Sequence, residues 1–195
     1  MDRTTTTSAM PSRRSAADAL TFNVAGLLAE PAGSIREIEL SAPPLALEWD
    51  IVQTAPVTGR LKLTRTNRGL LVQANLRTSI AQSCSRCLRD IDYPVEFELD
   101  EEALPSIDFV SGLPLDTSAE PDVLRLNDHH ELELESEVAD EIALAEPIAP
   151  LCRPDCPGLC PICGVELASG PHDHADEEID PRLEGLRGFG SDRPG

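Results

Sequence analysis

"VTGRLKLTRTNRGLLVQANLRTSI", residues 57–80, alternates apolar and polar side chains almost without a break. Leu61 and Leu63 stand against Arg60, Lys62 and Thr64; Leu70, Val72, Ala74 and Leu76 stand against Leu71, Gln73, Asn75 and Arg77. A period of two puts one set on each side of a pleated strand, so the stretch predicts a long β-hairpin with one buried face. "NRG" (67–69) supplies its turn, with Gly69 free to take a positive φ.

Outward from the hairpin, "IDYPVEFELDEEAL" (91–104) resumes the alternation, with Val95, Phe97 and Leu99 on one face. Pro94 marks an edge or a strand start. "CSRC" (84–87) therefore falls at the tip between two strands. Upstream, "IREIEL" (35–40) reads as a strand stopped by "APP", and "TFNVAGLL" (21–28) as a strand or turn leading into a helical turn. Residues 105–128 read as a mobile loop rich in Pro, Ser, Gly and Asp. "LELESEVADEIALA" (132–145) spaces Leu134, Val138, Ile142 and Ala145 for one face of a helix whose other face is acidic. "DPRLEGLRGF" (180–189) predicts a short C-terminal helix, capped by Asp180 with Pro181 at its first position.

The expected fold is thus α+β, mainly antiparallel sheet with one acidic helix and a C-terminal cysteine-rich zinc-knuckle extension. Its parts are a disordered tail over 1–19, a domain over 20–150 with the CxxC at a strand tip, and a Cys/His-rich extension over 151–190.

Among 195 residues only six are aromatic, so the interior must be built from Leu, Val, Ile and Ala, and cross-links would help it. No apolar run reaches about eighteen residues, which excludes a helical membrane span. The opening "MDRTTTTSAMPSRRSAADA" lacks the apolar segment of an export signal, so a reducing compartment is expected and disulfides are not. The net charge of −19 is unevenly placed. Residues 51–89 hold seven basic side chains (Arg60, Lys62, Arg65, Arg68, Arg77, Arg86, Arg89) and no acidic one; residues 90–147 hold nineteen acidic and one basic, Arg125. The basic stretch either offers a local contact for phosphate or is neutralised by acidic strands beside it.

Six cysteines fall as Cys84-x2-Cys87, then Cys152-x3-Cys156-x3-Cys160-x2-Cys163, followed by His172-x-His174. Thiolate and imidazole are the ligands of tetrahedral zinc, and eight such groups make two closed, structural sites. The preferred grouping is Cys84, Cys87, Cys152 and Cys156 for one, and Cys160, Cys163, His172 and His174 for the other. The alternative joins Cys84 and Cys87 to Cys160 and Cys163, as in a zinc ribbon. Reduced cysteines without metal and a redox CxxC pair are the remaining readings, though no βαβ pattern surrounds "CSRC". His129 and His130 read as solvated. No Walker loop, G-x-G-x-x-G or G-x-S-x-G is present, nothing suggests a small-molecule substrate, and the charge runs read as solvated faces; an enzyme is not expected.

"CSRCLRDIDYPVEFELDEE" (84–102), "ELELESEVADEIALAEPIAPLCRPDCPGLCPICGVEL" (131–167) and "DPRLEGLR" (180–187) together resemble the YceD family of large ribosomal RNA subunit accumulation proteins, over roughly residues 22–188. Ala168 departs from the Asn that many relatives carry there, and some members lack the later cysteines. The resemblance implies a bacterial cytoplasmic, or plastid, protein with a ribosome-assembly role and no catalysis. Its expected partners are a basic ribosomal protein, large-subunit rRNA or a pre-ribosome. Two other readings stand beside it: a redox-responsive zinc-thiolate switch, and a zinc-ribbon nucleic-acid regulator, which the overall charge opposes.

Overall fold

The computed structural model describes residues 15–48, 50–108, 111–116, 120, 123–171, 173, 174 and 182. Its frame is a five-stranded sheet in the order β2-β3-β4-β5-β6, where β2 is Ile35–Ala42, β3 Val57–Arg65, β4 Leu70–Ser83, β5 Asp90–Pro105 and β6 Leu124–Leu126. The first four strands are antiparallel neighbours, and the expected hairpin is β3–β4, in register from Thr58 opposite Arg77 to Arg65 opposite Leu70. The alternation holds throughout: Leu61, Leu63, Leu70, Val72, Ala74, Leu76, Val95, Phe97 and Leu99 are all buried. Pro94 lies where β5 has β4 on one side and no described strand on the other.

A second layer covers the inner face of the sheet. It consists of α1 (Ala16–Ala19), a two-stranded ribbon of β1 (Thr21–Asn23) with β7 (Glu131–Glu133), α2 (Ala25–Leu28), and α3 (Glu135–Leu144). Leu20, Val24, Leu27, Leu132, Leu134, Val138 and Ile142 from this layer share one apolar cluster with the sheet. Each such side chain contributes about 1.5–3 kcal/mol on burial, so an interior almost without aromatic rings can still hold together. Behind β4, Gln53 and Thr78 are buried but satisfied. The Gln53 amide donates to Thr78 Oγ1 at 2.8 Å and to the Ala55 carbonyl, and its oxygen accepts from Leu45 N at 3.0 Å.

Three local expectations change, and Gly69 is required for a reason other than a positive φ. Residues 15–19 are not tail: Ser15 caps α1 in a reciprocal capping box with Asp18, and Leu20 is fully buried. The helix begins at Glu135 rather than 132, because residues 131–133 pair with β1 across more than a hundred residues of chain. The 105–128 connection contains a strand, β6, which lies parallel to β5 and makes the sheet mixed. Gly69 does not take a positive φ; a Cβ there would stand 2.2 Å from the Ala103 carbonyl oxygen, so close backbone approach requires the glycine. The expected C-terminal helix lies outside the described residues, except for Arg182. No described helix is long and apolar enough to cross a membrane.

Candidate metal centre

Between the end of β4 and the start of β5 the chain has six residues, 84–89, to reverse direction. Cys84 N donates to the Arg89 carbonyl at 2.8 Å, and Leu88 N donates to the Cys84 carbonyl at 2.9 Å. The same turn recurs in the C-terminal segment. Cys160 N donates to the Val165 carbonyl at 2.8 Å, and Gly164 N to the Cys160 carbonyl at 2.9 Å. Both turns pass through the left-handed region one residue after the second cysteine, at Leu88 (φ 58°) and Gly164 (φ 72°). Glycine does this at no steric cost; leucine does not.

Beyond α3 the chain passes Pro147 and Pro150 and docks on the first turn, with Ser85 N donating to the Pro150 carbonyl at 2.8 Å. That contact delivers Cys152 and Cys156. Cys84 Sγ lies 3.8 Å from Cys156 Sγ, and Cys87 Sγ 3.7 Å from Cys152 Sγ; all four sulfurs lie within 4.8 Å of one another. These separations are far beyond the ~2.05 Å of a disulfide. They match the edge of a thiolate tetrahedron, about 3.8 Å when metal–sulfur bonds are about 2.3 Å. Leu151 and Leu159 pack against the cluster, so the sulfurs sit in a small apolar nest of their own. Backbone amides of Cys152, Cys87 and Arg86 hold the Cys84 thiol down to about 6. Burial, followed by the neighbouring sulfurs of Cys156, Cys87 and Cys84, pushes Cys152 up to about 12. A divalent ion at the centre of the four sulfurs would stabilise them as thiolates.

A second cluster follows. Cys160 Sγ lies 3.3 Å from His174 Nε2, and the donor atoms of Cys160, Cys163 and His174 fall within 4.8 Å of one another. Cys160 is buried and Cys163 exposed. His172, the expected fourth donor, lies outside the described residues. Cys84 and Cys87 therefore meet Cys152 and Cys156, and the ribbon-like pairing with Cys160 and Cys163 is not the one formed. The two turns are stacked: Leu159 N donates to the Arg86 carbonyl at 3.1 Å, Arg86 Nη1 to the Cys156 carbonyl at 2.9 Å, and Arg89 pairs with Glu166. Arg86, Arg89 and Glu166 were not singled out as site residues from sequence. Their only signal was position, two basic residues flanking Cys87. His129 and His130 form the turn between β6 and β7.

The model of the family described as large ribosomal RNA subunit accumulation protein YceD matches residues 72–190, a span that runs from inside β4 through both cysteine clusters. The chain belongs to the YceD family. That family is tied by its description to accumulation of large-subunit ribosomal RNA and is not a known enzyme family. The chain is also similar to uncharacterised mycobacterial proteins. It is 31% identical over 173 residues to one from Mycobacterium tuberculosis and one from Mycobacterium bovis, covering 87% of this chain and 81% of each of theirs. With one from Mycobacterium leprae it shares 30% over 165 residues, covering 82% and 72%. No solved structure matches.

Proposed function

We propose that this YceD-family chain is a non-enzymatic cytoplasmic factor in the accumulation of large-subunit ribosomal RNA, braced by structural zinc and acting by holding a basic ribosomal protein. The observation that carries the zinc is the convergence of four sulfurs, from segments some seventy residues apart, at the spacing of a thiolate tetrahedron. Cys84, Cys87, Cys152 and Cys156 would hold one ion; Cys160, Cys163 and His174, with His172 as expected from the sequence, would hold another. Zinc held by the four cysteines would supply binding energy and leave no open coordination position, which accords with a structural role.

The choice of a protein partner over RNA follows from where the charges lie. On the outer sheet face Lys62 stands between Glu37 and Gln73, Arg60 between Glu39 and Asn75, and Arg77 between Thr58 and Glu96, with Asp100 and Glu98 one strand further on. The basic hairpin is bordered by carboxylates on both sides. Alongside α3, Glu48, Glu133, Glu135, Glu137 and Asp140 line a groove with one basic residue, Arg125. Burial, then Asp140, Glu101 and Glu133, raise the Glu137 carboxyl above its ordinary value. Carboxylates that repel one another favour a cationic partner and speed its approach.

Elemental analysis of the purified chain tests the metal, and affinity capture with and without nuclease tests the partner. Zinc in the protein, with a small basic ribosomal protein retained after nuclease, is the expected result. Partners that vanish with nuclease overturn the protein-first reading, and a metal-free, folded chain overturns the zinc.

A further inference from the structure

The two clusters are built differently. The first draws its donors from both ends of the domain and buries three of the four: Cys84 and Cys156 are 0% and 2% exposed and Cys87 9%, while Cys152 is half-buried. The second takes all three of its described donors from residues 160–174, and Cys163 faces solvent. The second also lies over the first. Leu159, immediately before Cys160, packs on the sulfur nest of Cys84, Cys87 and Cys156 and is hydrogen-bonded to the Arg86 carbonyl. Glu166, just past the second turn, is clamped to Arg89 at the foot of the first. Leu167 N returns to the Gly158 carbonyl at 3.0 Å, closing residues 158–167 into one compact loop.

A metal held through an exposed thiolate is open to attack by a competing ligand; one whose sulfurs are mostly buried is attacked more slowly, and faster once its cover moves aside. The cover over Cys84, Cys87 and Cys156 includes Leu159, on the loop that carries the second cluster. We propose that Cys160, Cys163 and His174 form an exchangeable metal centre whose occupancy controls access to a slowly exchanging four-cysteine centre. This rests on the zinc reading above and adds an order to it. The outer ion leaves first, its ligands take up protons from solvent, the loop carrying Leu159 loosens, and the inner ion then becomes more accessible. The dependence runs one way, because the outer donors are local in sequence and do not need the inner ion to find one another.

The test uses the full-length chain loaded with zinc or cobalt and challenged with a chromophoric chelator. Two ions are expected to leave in two phases. In the cobalt form the fast phase removes a spectrum with weak thiolate charge transfer, from two sulfurs; the slow phase removes the stronger one, from four. Cys163→Ser should bind one ion and release it about tenfold faster than the wild-type slow phase, a factor equal to ~1.4 kcal/mol. Glu166→Gln, which removes no ligand, should also speed the slow phase. It guards against a Cys163 variant that fails to fold. Cys84→Ser should lose the slow ion and keep the fast one. Release of both ions in a single phase, or a slow phase indifferent to Glu166→Gln, overturns the proposal while leaving structural zinc intact. A chain that binds no metal overturns both.

Discussion

Leu88 and Gly164 occupy equivalent places in two matched turns, each with its amide donating at 2.9 Å to the carbonyl of the cysteine four residues earlier. Leucine has no reason of its own to be at φ 58°, and its side chain is 67% exposed, so little packing holds it there. The turn imposes the conformation, at a cost of about 1–2 kcal/mol for a residue with a Cβ. Leu88→Gly removes that strain and adds some freedom to the unfolded chain, about 0.5–1 kcal/mol. A net gain of up to about 1 kcal/mol in denaturant stability is expected. A loss would mean that the Leu88 side chain has a contact worth more than the strain.

Gly69 makes a different demand. Its φ is not positive, but a Cβ would meet Ala103 O at 2.2 Å and Leu104 Cδ2 at 3.0 Å. Gly69→Ala must push β5 away from the hairpin turn, where β5 also begins to pair with β6. A cost of about 1–3 kcal/mol is expected, as for other overpacked sites. Chemical denaturation measures it, and a neutral substitution would place the Ala103 carbonyl elsewhere.

The strands of the main sheet were legible because one face is apolar and the other polar over many residues; a register slip in β4 would turn Leu70, Val72, Ala74 and Leu76 outward together. β6 was not legible. Leu124–Leu126 is too short to show a period, and its partner is fixed only once β5 is in place. The same holds for β1 and β7, whose pairing joins Phe22 to Leu132. At the candidate site, the grouping of Cys84 and Cys87 with Cys152 and Cys156 could be read from locality, since Cys160 and Cys163 have a nearby histidine pair to join. The strained Leu88 could not, because leucine carries no sign of the left-handed region; only its alignment with Gly164 of "CPICG" reveals it. The stacking of one turn on the other depends on Arg86 carbonyl geometry, which no side-chain pattern encodes.

Glu137 on α3 gives a pH-dependent prediction. Burial, then Asp140, Glu101 and Glu133, raise its carboxyl above its ordinary value. A raised folded-state value means the ionised group disfavours folding. As pH falls through that raised value, Glu137 takes up a proton in the folded chain before it would in the unfolded one, and this contribution to stability improves. Glu137→Gln mimics the protonated form. It should raise the melting temperature at pH 7, and the advantage over wild type should shrink as pH falls toward the ordinary glutamate range, about 4.3. An advantage that does not change with pH would point to packing instead of charge.

The outer face of the sheet bears on whether the proposed partner is a basic protein or RNA. Arg60 Nε lies 3.2 Å from Glu39 Oε1, and Arg77 stands opposite Glu96. Exposed pairs of this kind add little to stability, about 0–1 kcal/mol, but they cancel the local field that would draw phosphate. The wild-type chain should therefore show no salt-dependent binding to a short RNA duplex. Glu96→Lys together with Glu98→Lys leaves Arg60, Lys62 and Arg77 beside two new cations with no carboxylate between them. That variant should bind the duplex, with log affinity falling against log salt at a slope of about −3, the value for three or four phosphate contacts. Titration of labelled duplex at several salt concentrations reads both results. Comparable slopes for wild type and variant would show that the basic hairpin reaches phosphate despite its acidic neighbours, and direct RNA contact would then replace the protein-first route.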